Sequence, residues 1–250
     1  MPRDRIMAID LDAAKNDGFL SPLIGNLMEL TSLGIRKNNF RGPIPENIAN
    51  LQKFNRLLSS QNLFTGRMPH SKHLEILDLQ HSGPLWLWQL NTLDLSGNNL
   101  KGIVPHLPIN LRRLSMSYNV LSGHISPSSV FKHLTVLDLS DHRLSSPIPQ
   151  EIPTLPLLRV LDAHANWLHG HPPISLANVA RLSSIDLSHN QFSGRIPVEY
   201  GPKPGSSWKI LFLEDNFLTE NPPPQFIDRT VAVCNSLARN CSRCPLNIRF

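Results

Sequence analysis

Three aspartates in the C-terminal half of the chain recur about every 24 residues and lie close in sequence to two histidines. The aspartates are Asp138, Asp162 and Asp186, and the histidines are His164 and His189. Carboxylates beside imidazoles could perform acid–base catalysis or bind a divalent metal ion. They could also be solvated structural side chains that are hydrogen-bonded to neighbouring serines. The spacing by itself leaves all three interpretations open.

The local sequence predicts that these aspartates lie on short β-strands. In Leu137-Asp138-Leu139 the leucines would face inward and the aspartate outward. The alternation recurs along the chain, with strand centres at Ile9, Leu33, Leu57, Leu77, Leu93, Leu114, Leu137, Leu161, Ile185 and Leu211. Parallel strands lie about 4.8 Å apart, so the three aspartates would form an acidic ladder.

An asparagine follows most of these strands. Of the ten equivalent positions, seven hold asparagine: Asn38, Asn62, Asn98, Asn119, Asn166, Asn190 and Asn216. An amide side chain both donates and accepts hydrogen bonds, so stacked asparagines would satisfy backbone groups that a turn leaves unpaired. Glycine and proline follow in segments such as Gly194-Arg-Ile-Pro197. The 22 prolines are therefore read as architecture rather than as disorder.

The complete unit, L-x-x-L-x-L-x-x-N-x-L-x-G-x-I-P over residues 182–197, resembles the plant-type leucine-rich repeat. That class forms the ectodomains of receptor-like kinases and receptor-like proteins, and the secreted polygalacturonase inhibitors. The resemblance implies an α/β repeat fold: a right-handed solenoid with a concave parallel β-sheet and an irregular or 3-10 convex side. Because Leu-Asp-Leu-Ser is a habitual strand sequence of this class, we favour the structural interpretation of the aspartates.

The predicted domains are a solenoid of about ten repeats over residues 1–223, irregular at 70–97, and a cap-like tail over 224–250. Only 16 residues separate the fourth and fifth equivalent positions, Ser82 and Asn98. Trp86 and Trp88 in this region are either an exposed binding patch or, as we favour, apolar filling of the coil.

The tail holds all three cysteines, Cys234, Cys241 and Cys244. The resemblance favours a cap held by a disulfide over the two alternatives, which are half of a zinc site and a redox pair. Three cysteines would form one disulfide and leave one thiol unpaired. The only N-x-S/T sequon is Asn240-Cys-Ser242, which is few for a secreted plant solenoid.

Composition and chain ends narrow the class of protein. The net charge of +5 is modest. The sequence contains neither a basic helix nor an aromatic–basic pattern of the kind that indicates nucleic-acid binding. No apolar stretch is long enough for a signal peptide or a transmembrane helix, whereas the resemblance implies an extracellular or plasma-membrane ectodomain. We therefore expect a truncated, alternatively spliced or decayed gene product.

The function that the resemblance implies is recognition of a protein or peptide on the concave face, with a co-receptor as a further partner, in defence or developmental signalling. We predict no enzyme activity, cofactor or metal. The alternatives are a secreted inhibitor of a cell-wall-degrading enzyme and a non-functional fragment. The predicted contact residues are Asp138, Asp141, Asp162, His164, Asp186, His189, Phe212 and Glu214.

Overall fold

The computed structural model describes residues 5–66, 90–104, 110–125, 132–149, 152, 155–200, 210–219 and 239–240. The chain divides into two compact units, Met1–Leu121 and Ser122–Phe250. Both are built from the same short elements, one set per repeat. Each unit is a parallel β-solenoid, as the repeat predicts.

In unit 1 the Leu-x-Leu segments form a row of parallel strands: β1 (Ala8–Asp10), β3 (Ser32–Gly34), β5 (Arg56–Leu58), β7 (Thr92–Asp94) and β9 (Arg113–Ser115). A second row of parallel strands begins just after the asparagine positions: β2 (Asp17–Phe19), β4 (Asn39–Gly42), β6 (Leu63–Gly66), β8 (Asn99–Gly102) and β10 (Val120–Gly123). The last two residues of β10 belong to unit 2.

Unit 2 repeats this arrangement. Its first row consists of β11 (Val136–Asp138), β13 (Val160–Asp162), β15 (Ser184–Asp186) and β17 (Ile210–Phe212). The second row consists of β12 (Arg143–Leu144), β14 (His169–Gly170), β16 (Gln191–Gly194) and β18 (Phe217–Leu218). In this row β16 pairs with both β14 and β18.

The core follows the two-residue period of the strands. Leu161 and Ala163 are buried, whereas Asp162 between them is partly exposed. The outer segments hold short 3-10 helices at Pro22–Asn26, Glu46–Asn50, Ile174–Asn178 and Val198–Tyr200. Proline starts or precedes these segments because it fixes φ and needs no hydrogen-bond acceptor.

Asparagine side chains tie each coil to its neighbour. The Oδ1 atom of Asn190 accepts a hydrogen bond from the backbone N–H of Leu168, and its Nδ2 donates to the carbonyl of Ala163, each in the preceding coil. Equivalent bonds are made by Asn38, Asn62, Asn98, Asn119, Asn166 and Asn216. We call this set the asparagine ladder. It satisfies buried backbone groups that the turns leave unpaired.

One predicted repeat is corrected by the sheet of unit 1. The strand predicted around Leu77 was expected between those around Leu57 and Leu93, but β5 pairs directly with β7, with Leu57 opposite Leu93. The asparagine ladder agrees, because Phe64 N–H donates to Asn98 Oδ1. Ser82 and Asn98 therefore do not mark two successive coils of this sheet. A long insertion between paired strands is tolerated because loop-closure entropy grows slowly with length.

Several predicted features lie outside the described residues: the strand at Leu77, the tryptophans Trp86 and Trp88, and the three cysteines. Within the described ranges, no helix combines the length and the apolar character needed to span a bilayer.

Candidate functional site

The three aspartates line up on adjacent strands of unit 2. Asp138 lies opposite Asp162 between β11 and β13, and Asp162 lies opposite Asp186 between β13 and β15. Phe212 is the next residue in the same register, on β17. Side chains in register on parallel strands are neighbours. We call Asp138, Asp162 and Asp186 the acidic strip.

Two members of the acidic strip are hydrogen-bonded to serines two residues later. The Oδ1 atom of Asp138 accepts from the N–H and hydroxyl of Ser140 at 3.2 and 2.8 Å. Asp186 accepts from the N–H and hydroxyl of Ser188 at 3.0 and 2.6 Å. In unit 1, Asp94 makes the same pair of bonds with Ser96. The Asp-x-Ser pairing is thus a local feature of the strand, as the structural interpretation expects.

The central aspartate has a histidine in place of the serine. His164 Nδ1 lies 2.8 Å from Asp162 Oδ1, and His164 Nε2 lies 3.1 Å from Asp141 Oδ2 in the preceding coil. Burial by itself lowers the pKa of His164, but the hydrogen bond to Asp162 and the charges of Asp162, Asp186 and Asp141 outweigh it and raise the pKa above its usual value. The imidazole therefore bridges two carboxylates and is stabilised in its charged form.

Burial raises the pKa of the Asp162 carboxyl, and the hydrogen bonds from His164 offset only part of that effect. The charge of Asp186 adds to the increase, since like charges disfavour ionisation. The centre of the acidic strip therefore combines a carboxyl group of raised pKa with a charged imidazole.

A second acidic group lies one coil further on. His189 Nδ1 is 3.1 Å from Asp215 Oδ2, and Arg239 approaches the same oxygen at 3.3 Å. Burial raises the pKa of Glu214, and the neighbouring charges of Asp186 and Asp215 raise it further. The Oε2 atom of Glu214 is buried without a hydrogen-bond partner among the described residues. The carboxylates of unit 2 thus continue beyond the acidic strip.

The chemistry open to this site can be judged from its contacts. Ligand atoms of Asp162, His164 and Asp186 all lie within 4.8 Å of one another, so these residues could hold a divalent ion. Both nitrogens of His164 already face carboxylate oxygens, however, so a metal would have to displace one of these contacts. The hydroxyls of Ser140 and Ser188 donate directly to aspartates rather than to a histidine, unlike an activated nucleophile.

The structure places all eight predicted contact residues in unit 2, where the histidine–carboxylate ion pairs form two groups. Asp141, Asp162 and His164 form one group, whereas His189 contacts Asp215, which was not among the predicted residues. Arg239 was also missed. The 24-residue separation of Asp215 from Arg239 is the repeat length and would have identified the pair.

Comparisons with known proteins agree with this architecture. The Leucine Rich Repeat family model matches residues 29–51, 89–109, 133–155 and 181–201. The chain is 40% identical to Receptor-like protein 35 of Arabidopsis thaliana over 165 residues, which is 65% of this chain but 16% of that protein. It thus spans a small part of the length of this relative.

Solved structures show the same fold. The ectodomain of the Arabidopsis thaliana receptor kinase GASSHO1/SCHENGEN3, in complex with CASPARIAN STRIP INTEGRITY FACTOR 2, is similar with a TM-score of 0.76 and 26% identity, over 94% of this chain and 27% of that one. The Arabidopsis receptor kinase HAESA, in complex with the peptide hormone IDA and the co-receptor SERK1, gives a TM-score of 0.70 and 26% identity, over 97% and 43%. The chain therefore contains leucine-rich repeats and resembles the ectodomains of plant receptor-like proteins and receptor kinases.

Proposed function

We propose that this protein recognises a peptide or an extended segment of a protein, and that the acidic strip of unit 2 makes the principal contacts. The observation that carries the proposal is the register of Asp138, Asp162 and Asp186, which aligns three partly exposed carboxylates on neighbouring strands. A rigid row of carboxyl groups at the strand spacing is a repeating surface that an extended ligand can follow.

The charge of this surface selects the chemistry of the ligand. The carboxyl groups of Glu214 and Asp215 continue past the acidic strip, whereas the whole chain carries a net charge of +5. A ligand with lysine or arginine side chains would complement it, and electrostatic complementarity mainly sets specificity and association rate. Phe212, next in register after Asp186, offers an apolar contact at the end of the row.

The relatives support a binding role. Of the similar receptor-kinase ectodomains, one was solved in complex with CASPARIAN STRIP INTEGRITY FACTOR 2, and the other with the peptide hormone IDA and the co-receptor SERK1. We infer from them that this chain acts in extracellular signalling, in defence or development, without catalysis of its own. A co-receptor is part of the same proposal.

The test is selection of ligands from a displayed library of random peptides of about 12 residues, long enough to cross several strands at about 3.3 Å per residue. Enriched peptides are then titrated against the purified chain and against the double variant Asp138→Asn, Asp186→Asn. Asparagine keeps the oxygen that accepts from Ser140 and Ser188, so the local bonds survive while two charges are lost.

The matched control is Asp94→Asn, which changes an identical Asp-x-Ser pair in unit 1. We expect basic peptides to be enriched, and the double variant to lose about tenfold or more in affinity, mostly at low salt. Asp94→Asn should leave the affinity within about twofold. Equal affinity for the wild type and a folded double variant would move the binding site away from the acidic strip.

A further inference from the structure

Asn240 makes the hydrogen bonds of an asparagine-ladder residue. Its Oδ1 accepts from the Leu218 N–H at 3.0 Å, and its Nδ2 donates to the Leu213 carbonyl at 2.9 Å. The accepted bond spans 22 residues and the donated bond spans 27, the same separations as for Asn166 and Asn190.

The residue before Asn240 fits the repeat as well. Arg239 has a φ of +53°, and residues immediately before other ladder asparagines are also left-handed, such as Ala165 at +51° and His189 at +52°. The ladder therefore continues beyond residue 223, where the sequence had placed the end of the solenoid.

The same asparagine is the acceptor of the only N-x-S/T sequon, Asn240-Cys-Ser242. In N-glycosylation the amide Nδ2 forms a bond to the anomeric carbon of a lipid-pyrophosphate-linked oligosaccharide. The bond from that carbon to the phosphate oxygen breaks, the lipid pyrophosphate leaves, and Nδ2 loses one proton. The modified atom is thus the one that donates to Leu213.

We infer that N-glycosylation of Asn240 and the hydrogen bonds of its side chain with Leu218 and Leu213 exclude one another. The Leu213 carbonyl accepts from both Asn216 and Asn240, so Nδ2 of Asn240 lies between successive coils. A sugar on Nδ2 would replace one of its two hydrogens and add a bulky, hydrated group at this contact. These bonds therefore protect the Asn240 amide, and a glycan attached before folding keeps them from forming.

Docking of the turn that holds Arg239 and Asn240 also changes the charge of the candidate site. It brings Arg239 to 3.3 Å from Asp215, which in turn contacts His189. A chain glycosylated at Asn240 would lose this cation from the carboxylates of unit 2. Modification of one side chain thus sets both the bonding of Asn240 and the local charge.

The first experiment offers the full chain to a purified oligosaccharyltransferase with its lipid-linked donor, before and after denaturation in urea and dilution. Occupancy is read by mass spectrometry. A positive control for the folded state is Lys101→Thr, which completes a second sequon at Asn99, an exposed residue that directly follows the ladder residue Asn98. In the folded chain we expect Asn240 to be modified at most about one tenth as fast as Asn99, because its modification requires its bonds to Leu218 and Leu213 to break.

The second experiment measures hydrogen exchange at the Leu218 amide, whose acceptor is Asn240 Oδ1. Asn240→Ala should remove its protection, as should the glycan in a chain modified while unfolded and then refolded. Ser242→Ala, which destroys the sequon but keeps the asparagine, should not. Equal modification of Asn240 and Asn99 in the folded chain would overturn the inference. So would full protection of Leu218 in either Asn240→Ala or the glycosylated chain.

Discussion

His164 occupies, relative to Asp162, the position that serine occupies relative to Asp138 and Asp186. Its Nδ1 lies 2.8 Å from Asp162 Oδ1, as close as the Ser140 hydroxyl is to Asp138. Unlike a serine, the imidazole also reaches Asp141 in the neighbouring coil. Histidine in place of serine therefore turns a hydrogen bond within one strand into a link between two coils. That link depends on the protonation of the His164 imidazole.

This link should make the stability of unit 2 fall as pH rises. The neighbouring carboxylates raise the folded-state pKa of His164 despite its burial. The contribution of His164 to the stability of unit 2 is therefore fully present at pH values below the usual histidine pKa of about 6.5. It is lost as pH rises through the raised pKa of the folded state. Urea denaturation across about pH 6 to 8 should show a decreasing midpoint for the wild type, and a flatter profile for His164→Ser. His169→Ser, at an exposed position on β14, is the control. Identical slopes in all three proteins would contradict the prediction.

The stability of unit 1 should show the opposite dependence and fall at acidic pH. Burial opposes ionisation of Asp12, but hydrogen bonds from the Arg36 side chain and backbone lower its pKa. The stabilisation is present above the usual value near 3.8 and is lost as pH falls through the lowered one. Asp12→Asn should therefore destabilise unit 1 at pH about 7 and much less near pH 3. Asp17→Asn, whose ion pair with Arg41 is more than half exposed, should have little effect at either pH. A pH-independent loss in Asp12→Asn would refute this assignment.

Loss of a ladder asparagine should be costly although it contacts no ligand. Asn166→Ala leaves the Leu144 N–H and the Leu139 carbonyl without their partner, and both lie in the interior. We expect a loss of about 1–3 kcal/mol in the free energy of unfolding. Asn99→Ala, at an exposed position, should change it by less than about 0.5 kcal/mol. Chemical denaturation followed by circular dichroism measures both, and equal midpoints would show that water replaces the amide.

Gly25 should resist replacement by alanine, even though the equivalent positions hold Ala49 and Ala177. A Cβ on Gly25 would overlap the backbone carbonyl oxygen of Asn47 and approach its carbonyl carbon to 2.8 Å. Overpacking against backbone typically destabilises by about 1–3 kcal/mol. The control Ala177→Gly should cost less, about 0.5–1 kcal/mol. The two thermal melting temperatures decide the matter, and a Gly25→Ala protein as stable as the wild type would show that the neighbouring coil shifts at little cost.

The sequence by itself determined the strands and the asparagine ladder. Alternating leucines leave one register in which all of them are buried, so nine of the ten predicted strand centres, from Ile9 to Leu211, are strands of the described structure. Asparagine at a fixed offset then meets unpaired backbone groups of the adjacent coil, because the repeat length places them there.

Only the tertiary structure decided which coils are neighbours and which charges meet. The direct pairing of Leu57 with Leu93 depends on strand contact in space, and the length of the connecting segment does not fix it. The bridge from Asp162 through His164 to Asp141 depends on side-chain directions in two coils. Asn240 reads as a glycosylation sequon in the sequence, and only its bonds to Leu218 and Leu213 identify it as a ladder residue. Local periodicity specifies a strand, whereas contacts between coils depend on how the chain stacks.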